Sequence, residues 1–201
     1  PGLREFSLSL KTVTDALAIN CHLDFYFHNL WRTKAQKTVS IIVGGGGATG
    51  VEFASELPQK IDKLSKKYDY PRSNISIHLV EGSAQLTGQA GHVTKILLER
   101  LKGLGIQVHM ETLIQNVTQT HAALQAQGKH LELPQDILIW TGGVKPNPLI
   151  AESFPKVAKN GALPVNPYLQ HEGFPNVYAA GDNASFLDFK TGDTLPMLAQ
   201  V

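Results

Sequence analysis

Residues 38–57 read TVSIIVGGGGATGVEFASEL. An apolar run, Val39–Val43, meets four consecutive glycines, Gly44–Gly47, and a segment with helical spacing follows. The pattern predicts a strand, a tight turn and a helix that begins near residue 49. Glycine loses more conformational freedom on folding than any other residue. Four glycines between two ordered elements therefore indicate a turn that must adopt unusual backbone angles or let another group come close.

Gly45, Gly47 and Gly50 fit the spacing G-x-G-x-x-G. In this motif the first glycine permits the tight turn, the second lets a pyrophosphate approach the backbone, and the third allows the helix to pack closely on the strand. The N–H groups at the start of the helix then point at the phosphates, and the helix dipole favours their charge. The alternative is a flexible glycine turn, but a turn between strand and helix is the context that dinucleotide binding requires.

Glu81 ends a second apolar run, Asn74–Gly82, which predicts another strand. An acid at this position accepts hydrogen bonds from the adenosine ribose, and its charge repels a 2′-phosphate, so NAD(H) is expected rather than NADP(H). The separation from the glycines exceeds the usual ~20 residues, and the long helix between them accounts for the excess. The alternative is an ordinary solvated glutamate. We place Glu52 in the first helical turn, where the helix dipole favours an acid. On the sequence alone, this structural role is the preferred explanation of Glu52.

The remaining periodicities complete the predicted fold. They predict a helix over 13–33, capped by Thr12 or Thr14, and a helix over 91–103. The apolar face of the first of these is predicted to be Leu17, Cys21, Leu23, Tyr26, Phe27 and Leu30. In the helix from about 49 the predicted face is Ala54, Leu57, Ile61, Leu64 and Tyr68, and Pro58 should kink or split that helix. An antiparallel meander over 113–133 is predicted to turn at Gln127-Gly128, and a buried strand ends in Gly142 and Gly143. This order predicts an α/β fold with a Rossmann-like, doubly wound parallel sheet, helices on both faces and the meander as an insertion that covers one side. Beyond residue 146 prolines are frequent, and we expect little regular structure apart from an apolar strand at 176–182.

Composition excludes several classes of function. The 201 residues include 18 basic and 17 acidic ones, so nucleic-acid binding is not expected. No apolar run reaches the ~18 residues of a transmembrane helix. A single cysteine, Cys21, excludes an internal disulfide framework and a CxxC redox pair. We predict that Cys21 is a buried structural thiol, and the scattered histidines predict no metal site.

Five segments resemble the two-dinucleotide-binding flavoproteins, and among them the type II NADH dehydrogenases. PGLREFSLSLKTVTDALAINCHL resembles their lead-in to the NAD domain. VGGGGATGVEFASEL resembles their NAD fingerprint and ILIWTGGVKPNPLI the end of their NAD domain. NVYAAGDNASF resembles their second FAD motif, and PMLAQV the segment beside the flavin and the quinone. The resemblance covers most of the chain. It implies an NAD-binding Rossmann domain inserted between two parts of an FAD-binding domain.

The resemblance also implies domain limits and site residues. Residues 1–35 would lead in from the FAD-binding domain, 36–145 would form the NAD(H)-binding domain, and 146–201 would be an incomplete C-terminal part of the FAD-binding domain. Glu52 would lie near the nicotinamide, and Gly142 and Gly143 would let a cofactor approach, although a strand-end turn is the alternative for both. No catalytic side chain is implied. The predicted cofactor-binding residues are Gly45, Gly46, Gly47, Thr49, Gly50, Glu52, Glu81, Gly142, Gly143, Gly181, Asp182 and Gln200.

The function implied by the resemblance is transfer of hydride from NADH to FAD and of electrons on to a quinone. The half of the FAD domain that should precede Pro1 is missing, so we expect a piece of a longer protein that binds NADH but does not hold FAD tightly or act alone. We expect no membrane contact for this piece, a possible homodimer, and a cytoplasmic location with the whole protein peripheral on the membrane. A ferredoxin- or rubredoxin-type reductase, or a non-catalytic NADH-binding module, is the alternative.

Overall fold

The structure, a computed structural model, describes residues 1–88, 91–143 and 146–187, and the backbone of 194–195. It divides into two compact units, the first covering Pro1–Gly142 and the second beginning at Gly143. Residues 1–35 belong to the first unit, where they contribute a helix and an edge strand. Their assignment to a flavin-binding domain, like the other domain assignments, stays a prediction.

A five-stranded parallel sheet forms the centre of the first unit. Its strands lie in the order β1, β8, β2, β3, β4. β2 is buried at every position because both of its faces are covered, as its mainly apolar run predicts. Ile41 of β2 pairs with Ile77 on one side, and Val43 pairs with Ile139 on the other. The bounds of these strands are β1 Leu8–Ser9, β2 Val39–Gly44, β3 Ile75–Val80, β4 Ile106–His109 and β8 Ile137–Trp140.

Three long helices pack on one face of this sheet: α2 Val13–Thr33, α3 Ala48–Lys67 and α4 Gly91–Gly103. The other face is covered by a one-turn helix, α1 Leu3–Phe6, and by the meander. The predicted α/β class and the Rossmann-like parallel sheet are confirmed. The arrangement differs from the expected helices on both faces, because the inserted meander takes the place that a second helical layer would fill.

The meander consists of β5 Thr112–Val117, β6 His121–Ala126 and β7 Lys129–Pro134, paired antiparallel as predicted. β6 and β7 are joined by the predicted turn at Gln127 and Gly128, and both residues have positive φ, the geometry of a tight hairpin turn. Ala122 and Leu124 of β6 are buried against the sheet. The alternation of apolar and polar residues therefore reflects one covered and one exposed face.

The buried face of α2 agrees with the predicted one only in part: Leu23, Phe27 and Leu30 are buried as predicted, but Leu17 and Cys21 are not. Ile19, Leu23 and Phe27 are buried, whereas Leu17 is 61% exposed and Cys21 is exposed. Leu17 and Cys21 each precede a buried position by two residues, which is about 200° around a helix. The prediction of a buried structural thiol is therefore wrong. Exposed apolar side chains on α2 do not by themselves show a homodimer, which stays a prediction.

The face predicted for α3 is confirmed. Ala54, Leu57, Ile61 and Leu64 are buried against the sheet. Pro58 is also buried and lies inside a helix that continues on both sides of it. Proline cannot donate to the carbonyl of Ala54, so packing of the apolar face compensates for one missing backbone hydrogen bond.

Asp136, which precedes β8, ties α2 to the sheet. Its carboxylate accepts hydrogen bonds from the Tyr26 hydroxyl and the Ser40 N–H, both at 2.8 Å, and forms an ion pair with Lys37. Burial of the phenol, with the Asp136 charge beside it, raises the pKa of Tyr26 to about 12. Tyr26 therefore remains a neutral donor to the carboxylate.

The second unit has short elements, as its prolines predict. They are α5 Pro148–Ser153, β9 Leu163–Pro164, β10 Gln170–His171, β11 Phe174–Tyr178, β12 Ala184–Leu187 and β13 Thr194–Leu195. The strand predicted at 176–182 ends at Tyr178. Phe174 and Tyr178 are 45% and 63% exposed, because β11 belongs to a sheet of two strands among the described residues, in which it pairs with β10.

Thr12, rather than Thr14, caps α2, and this contact is testable. Thr12 Oγ1 accepts the Asp15 N–H at 3.1 Å, while Asp15 Oδ2 accepts the Thr12 N–H at 2.9 Å. Thr12→Ala should lower the free energy of unfolding by about 1 kcal/mol in urea titrations. Thr14→Ala, at an exposed helical position, is the matched control and should change it by less than about 0.5 kcal/mol. Equal losses in both variants would contradict the assignment of the cap.

A buried histidine pair should make stability depend on pH. His78 of β3 is 6% exposed and its Nδ1 lies 3.1 Å from Nε2 of His109. Burial, with His109 nearby, lowers the pKa of His78 to about 4. The unfolded chain therefore binds a proton at a pH where the folded chain does not, and stability falls as the pH decreases from about 6.5 to about 4.

The loss attributable to His78 should be on the order of 3 kcal/mol over this window. His78→Phe should flatten the dependence of the free energy of unfolding on pH, measured by urea titration at pH 7 and at pH 4.5. An unchanged slope in this variant would contradict the assignment.

Candidate functional site

The glycine loop joins β2 to α3 at the carboxyl edge of the sheet. Gly45 has φ +108°, a backbone angle that glycine adopts without steric cost. Its N–H donates to the Val80 carbonyl of β3 at 2.9 Å. A Cβ on Gly45 would lie 2.8 Å from the backbone nitrogen of Gly142. The tight turn expected at the first motif glycine is therefore present.

The third motif glycine lies under the loop. A Cβ on Gly50 would lie 1.8 Å from the carbonyl oxygen of Gly45, so no other residue fits without moving the backbone. Gly47 has the opposite environment, because a Cβ there would meet nothing within 4 Å. The chain therefore packs tightly beneath the loop and leaves open space at the second motif glycine.

The amino end of α3 faces this open space. Gly47 is the N-cap residue, and no side chain caps the helix. The first N–H groups of a helix have no partner within the helix, and its dipole places a partial positive charge at this end. Thr49, in the first turn, is exposed. This end of α3 can therefore accept an anion beside Gly47.

Glu81, directly after β3, lies against the loop. Its Oε2 accepts the Gly46 N–H at 2.5 Å, and its Oε1 accepts the Ser83 N–H at 2.7 Å. A Cβ on Gly46 would lie 2.9 Å from Cβ and Cγ of Glu81. The carboxylate is thus held in place by two backbone donors. Since each oxygen has a second lone pair, it can still accept hydrogen bonds from ligand hydroxyls.

Thr141 approaches the loop from the opposite strand, β8. Its hydroxyl lies 3.0 Å from both the Gly44 and the Gly45 carbonyl oxygens. A Cβ on the next residue, Gly142, would lie 2.8 Å from the Trp140 ring. Gly143 has φ +74°. Close packing and a turn at the strand end account for these two glycines, so their predicted cofactor contact stays a prediction.

The position of Glu52 corrects one expectation. α3 begins at Ala48 and has no acid in its first turn, so Glu52, the fifth residue of the helix, lies just beyond the turn in which we placed it. The dipole effect falls off beyond the first turn, and this removes the structural reason for an acid there. Glu52 is exposed. Its predicted role near a nicotinamide stays a prediction.

The second unit contains the other predicted site residues. Gly181 is buried with φ +60°, and Asp182 is exposed on the single turn Gly181–Asn183. Asn183 Oδ1 accepts the Asn147 N–H at 2.9 Å, and Asn147 caps α5. The acid is therefore presented on a turn that is fixed from the side by an asparagine. Gln200 lies outside the described residues.

Two residues of the site were missed by sequence reasoning, namely Thr141 and Ser83. A threonine after a buried strand is a weak signal, because the sequence does not show which carbonyl its hydroxyl meets.

Metal binding and membrane insertion each require features that the structure can show. The described part of the chain has no cluster of His, Cys, Asp or Glu suited to a metal ion. None of its helices combines the length and the hydropathy needed to cross a bilayer.

The contrast between Gly50 and Gly47 gives a test. Gly50→Ala should lower the free energy of unfolding by about 2 kcal/mol or more, because its methyl group collides with a buried carbonyl. Gly47→Asn should change it by less than about 0.5 kcal/mol, since the space is open and asparagine is a favourable N-cap. Urea unfolding of both variants measures the difference. Equal stability of the two would contradict the packing described.

Known proteins are similar to this chain in sequence and in fold. The sequence profile of the family described as pyridine nucleotide-disulphide oxidoreductase matches residues 1–201. A type II NADH:quinone oxidoreductase of Staphylococcus saprophyticus is 27% identical over 203 residues, which cover 100% of this chain and 50% of that protein. The Staphylococcus aureus protein of the same name is 26% identical with the same coverage. The chain thus spans about half the length of the curated relatives it matches.

Two solved structures are also similar to this chain in fold. NDH2 from Plasmodium falciparum, in complex with NADH, superposes with a TM-score of 0.81 at 25% identity, covering 92% of this chain and 41% of that one. The sulfide:quinone oxidoreductase from Aquifex aeolicus has a TM-score of 0.74 at 17% identity and covers 100% of this chain and 46% of its own, a likeness of fold alone. With a family match over its whole length, the protein belongs to the pyridine nucleotide-disulphide oxidoreductase family.

Proposed function

We propose that the first unit binds NADH through the glycine loop. The observation that carries this proposal is the uncapped amino end of α3, which opens beside Gly47 while the Glu81 carboxylate is fixed at the end of the neighbouring strand. A pyrophosphate needs N–H donors and a positive potential, and an adenosine ribose needs an acceptor. The proposal is supported by the position of the helix end and of the carboxylate at one edge of the sheet.

The nicotinamide preference follows from charge. The Glu81 carboxylate can accept hydrogen bonds from a ribose diol but repels a 2′-phosphate at the same position. Its two backbone donors hold it against the loop, so it cannot turn away to admit the extra phosphate without losing both contacts. NADH is therefore the preferred ligand over NADPH.

We propose further that the whole protein is an FAD-dependent NADH dehydrogenase that passes electrons to a quinone at the membrane. Support comes from the similarity to the staphylococcal type II NADH:quinone oxidoreductases and to the Plasmodium protein solved with NADH. When bound, NADH supplies a hydride and FAD accepts it and relays the electrons.

The residues of this chain bind and orient the cofactors in this proposal. Gly45, Gly46 and Thr49 shape the pyrophosphate site. Glu52, with the Gly142–Gly143 turn, is proposed to lie along the path of the nicotinamide. Asp182, exposed on its turn, would hold the ribitol side of FAD through its carboxylate.

The first test of this proposal is a titration of the folded chain with NADH and, in parallel, with NADPH, followed by nicotinamide fluorescence. We expect saturable binding that favours NADH by at least roughly tenfold, the effect of about 1.4 kcal/mol of charge repulsion. Absence of binding in a folded sample, or a preference for NADPH, would contradict the assignment of the loop and of Glu81. Reduction of bound flavin by NADH in the whole protein tests the electron transfer.

A pair of variants locates the pyrophosphate. Gly47→Asp places a carboxylate at the helix end where the phosphates should bind, and we expect NADH affinity to fall by roughly a hundredfold, or about 3 kcal/mol. Gly47→Asn has the same shape without the charge and should bind much more tightly than Gly47→Asp. Because aspartate and asparagine are both good N-caps, stability should be similar. Equal affinities of the two variants would place the phosphates elsewhere.

A further inference from the structure

One peptide group of the loop is held from both sides. The peptide between Gly45 and Gly46 has its carbonyl oxygen 3.0 Å from the Thr141 hydroxyl. Its N–H donates to Glu81 Oε2 at 2.5 Å. Thr141 follows β8 and Glu81 follows β3, and these are the two strands that flank β2 in the sheet. Side chains from both neighbouring strands thus meet on a single peptide plane.

This peptide would otherwise have unusual freedom. It joins two glycines, and glycine adopts positive and negative φ about equally readily. Rotation of the peptide plane would redirect the Gly46 N–H and shift Gly47, which begins α3. A loop that is ordered only on binding costs affinity, whereas one already in its bound shape does not. A contact that fixes the peptide therefore acts directly on the anion site.

We infer that Thr141 is a positioning residue for the pyrophosphate site. Its hydroxyl, together with the Glu81 carboxylate, holds the Gly45–Gly46 peptide in the orientation that binds the dinucleotide. The inference rests on the proposed NADH site and adds to it a residue that has no place in the glycine motif. Glu81 then has two roles, since the carboxylate that selects the ribose also fixes the loop.

The hydroxyl, rather than the β-branched shape, carries this role. The Thr141 N–H already donates to the Gly44 carbonyl at 2.9 Å and so continues the pairing between β8 and β2. Valine would keep this backbone bond and the volume of the side chain. It would lose only the hydroxyl, which shares its single proton between the carbonyls of Gly44 and Gly45.

Titration of four variants with NADH tests the inference: Thr141→Val, Thr141→Ser, Glu81→Ala and the Thr141→Val/Glu81→Ala double variant. Thr141→Val should weaken NADH binding by roughly five- to tenfold, the effect of one lost hydrogen bond. Thr141→Ser should bind within about twofold of wild type because it keeps the hydroxyl. Glu81→Ala removes the acceptor of the Gly46 N–H and so releases the peptide, and in that background Thr141→Val should cost only about twofold more.

Three results would overturn the inference. The first is wild-type affinity in Thr141→Val, the second is Thr141→Ser binding as weakly as Thr141→Val, and the third is a double variant that shows the full product of the two single losses. The first of these would show that the hydroxyl is dispensable, the second that side-chain shape matters instead, and the third that the two residues act independently.

A measurement without ligand separates this inference from the proposed function. In the ligand-free protein the Gly46 amide should exchange its hydrogen slowly in wild type and at least roughly tenfold faster in Thr141→Val. The Ile77 amide in the core strand is the internal control and should be unchanged. If NADH does not bind but this difference is seen, the proposed function fails and the peptide lock stands. Unchanged exchange at Gly46 overturns the lock whatever the NADH result.

Discussion

The close approach between the first turn of α3 and the Gly45 carbonyl determines how the first unit can be built. A methyl group at Gly50 would lie 1.8 Å from that oxygen, so the helix can begin at this depth only if residue 50 has no side chain. Because the helix begins there, its amino end faces the carboxyl edge of the sheet with no capping side chain. The anion site is thus a consequence of backbone packing, and the open space at Gly47 makes it accessible.

The order of the sheet supplies the rest of the site. β2 lies between β8 and β3, so the residues that follow these two strands reach the loop from opposite sides. Glu81 and Thr141 both follow strands that end at the same edge, as parallel strands must. Ligands bind in α/β sheets at this carboxyl edge. The meander and the three helices cover the two faces of the sheet rather than this edge.

The sequence predicted the parts of the fold that depend on local patterns. The glycine spacing and the turn at Gly128 each reflect a backbone requirement that few other residues satisfy, and the mainly apolar run of β2 reflects burial on both faces. The face of α2 was predicted less well, because apolar residues lie on more than one side of that helix and only packing decides that Ile19 is buried and Cys21 exposed. The role of Thr141 could not be predicted, since its acceptors are 96 and 97 residues away in the chain and depend on the strand order.

The central claim is that the ligand-free loop already has the shape of a dinucleotide site. A ¹⁵N–¹H NMR spectrum recorded with and without NADH tests this claim most directly. The account predicts that the largest shifts occur at the amides of Gly46–Val51 and of Ser83, while the amides of β4 and of the meander hardly move. Shifts concentrated far from the loop, for example around the surface pocket formed by Trp31, Tyr70 and Asn74, would contradict it.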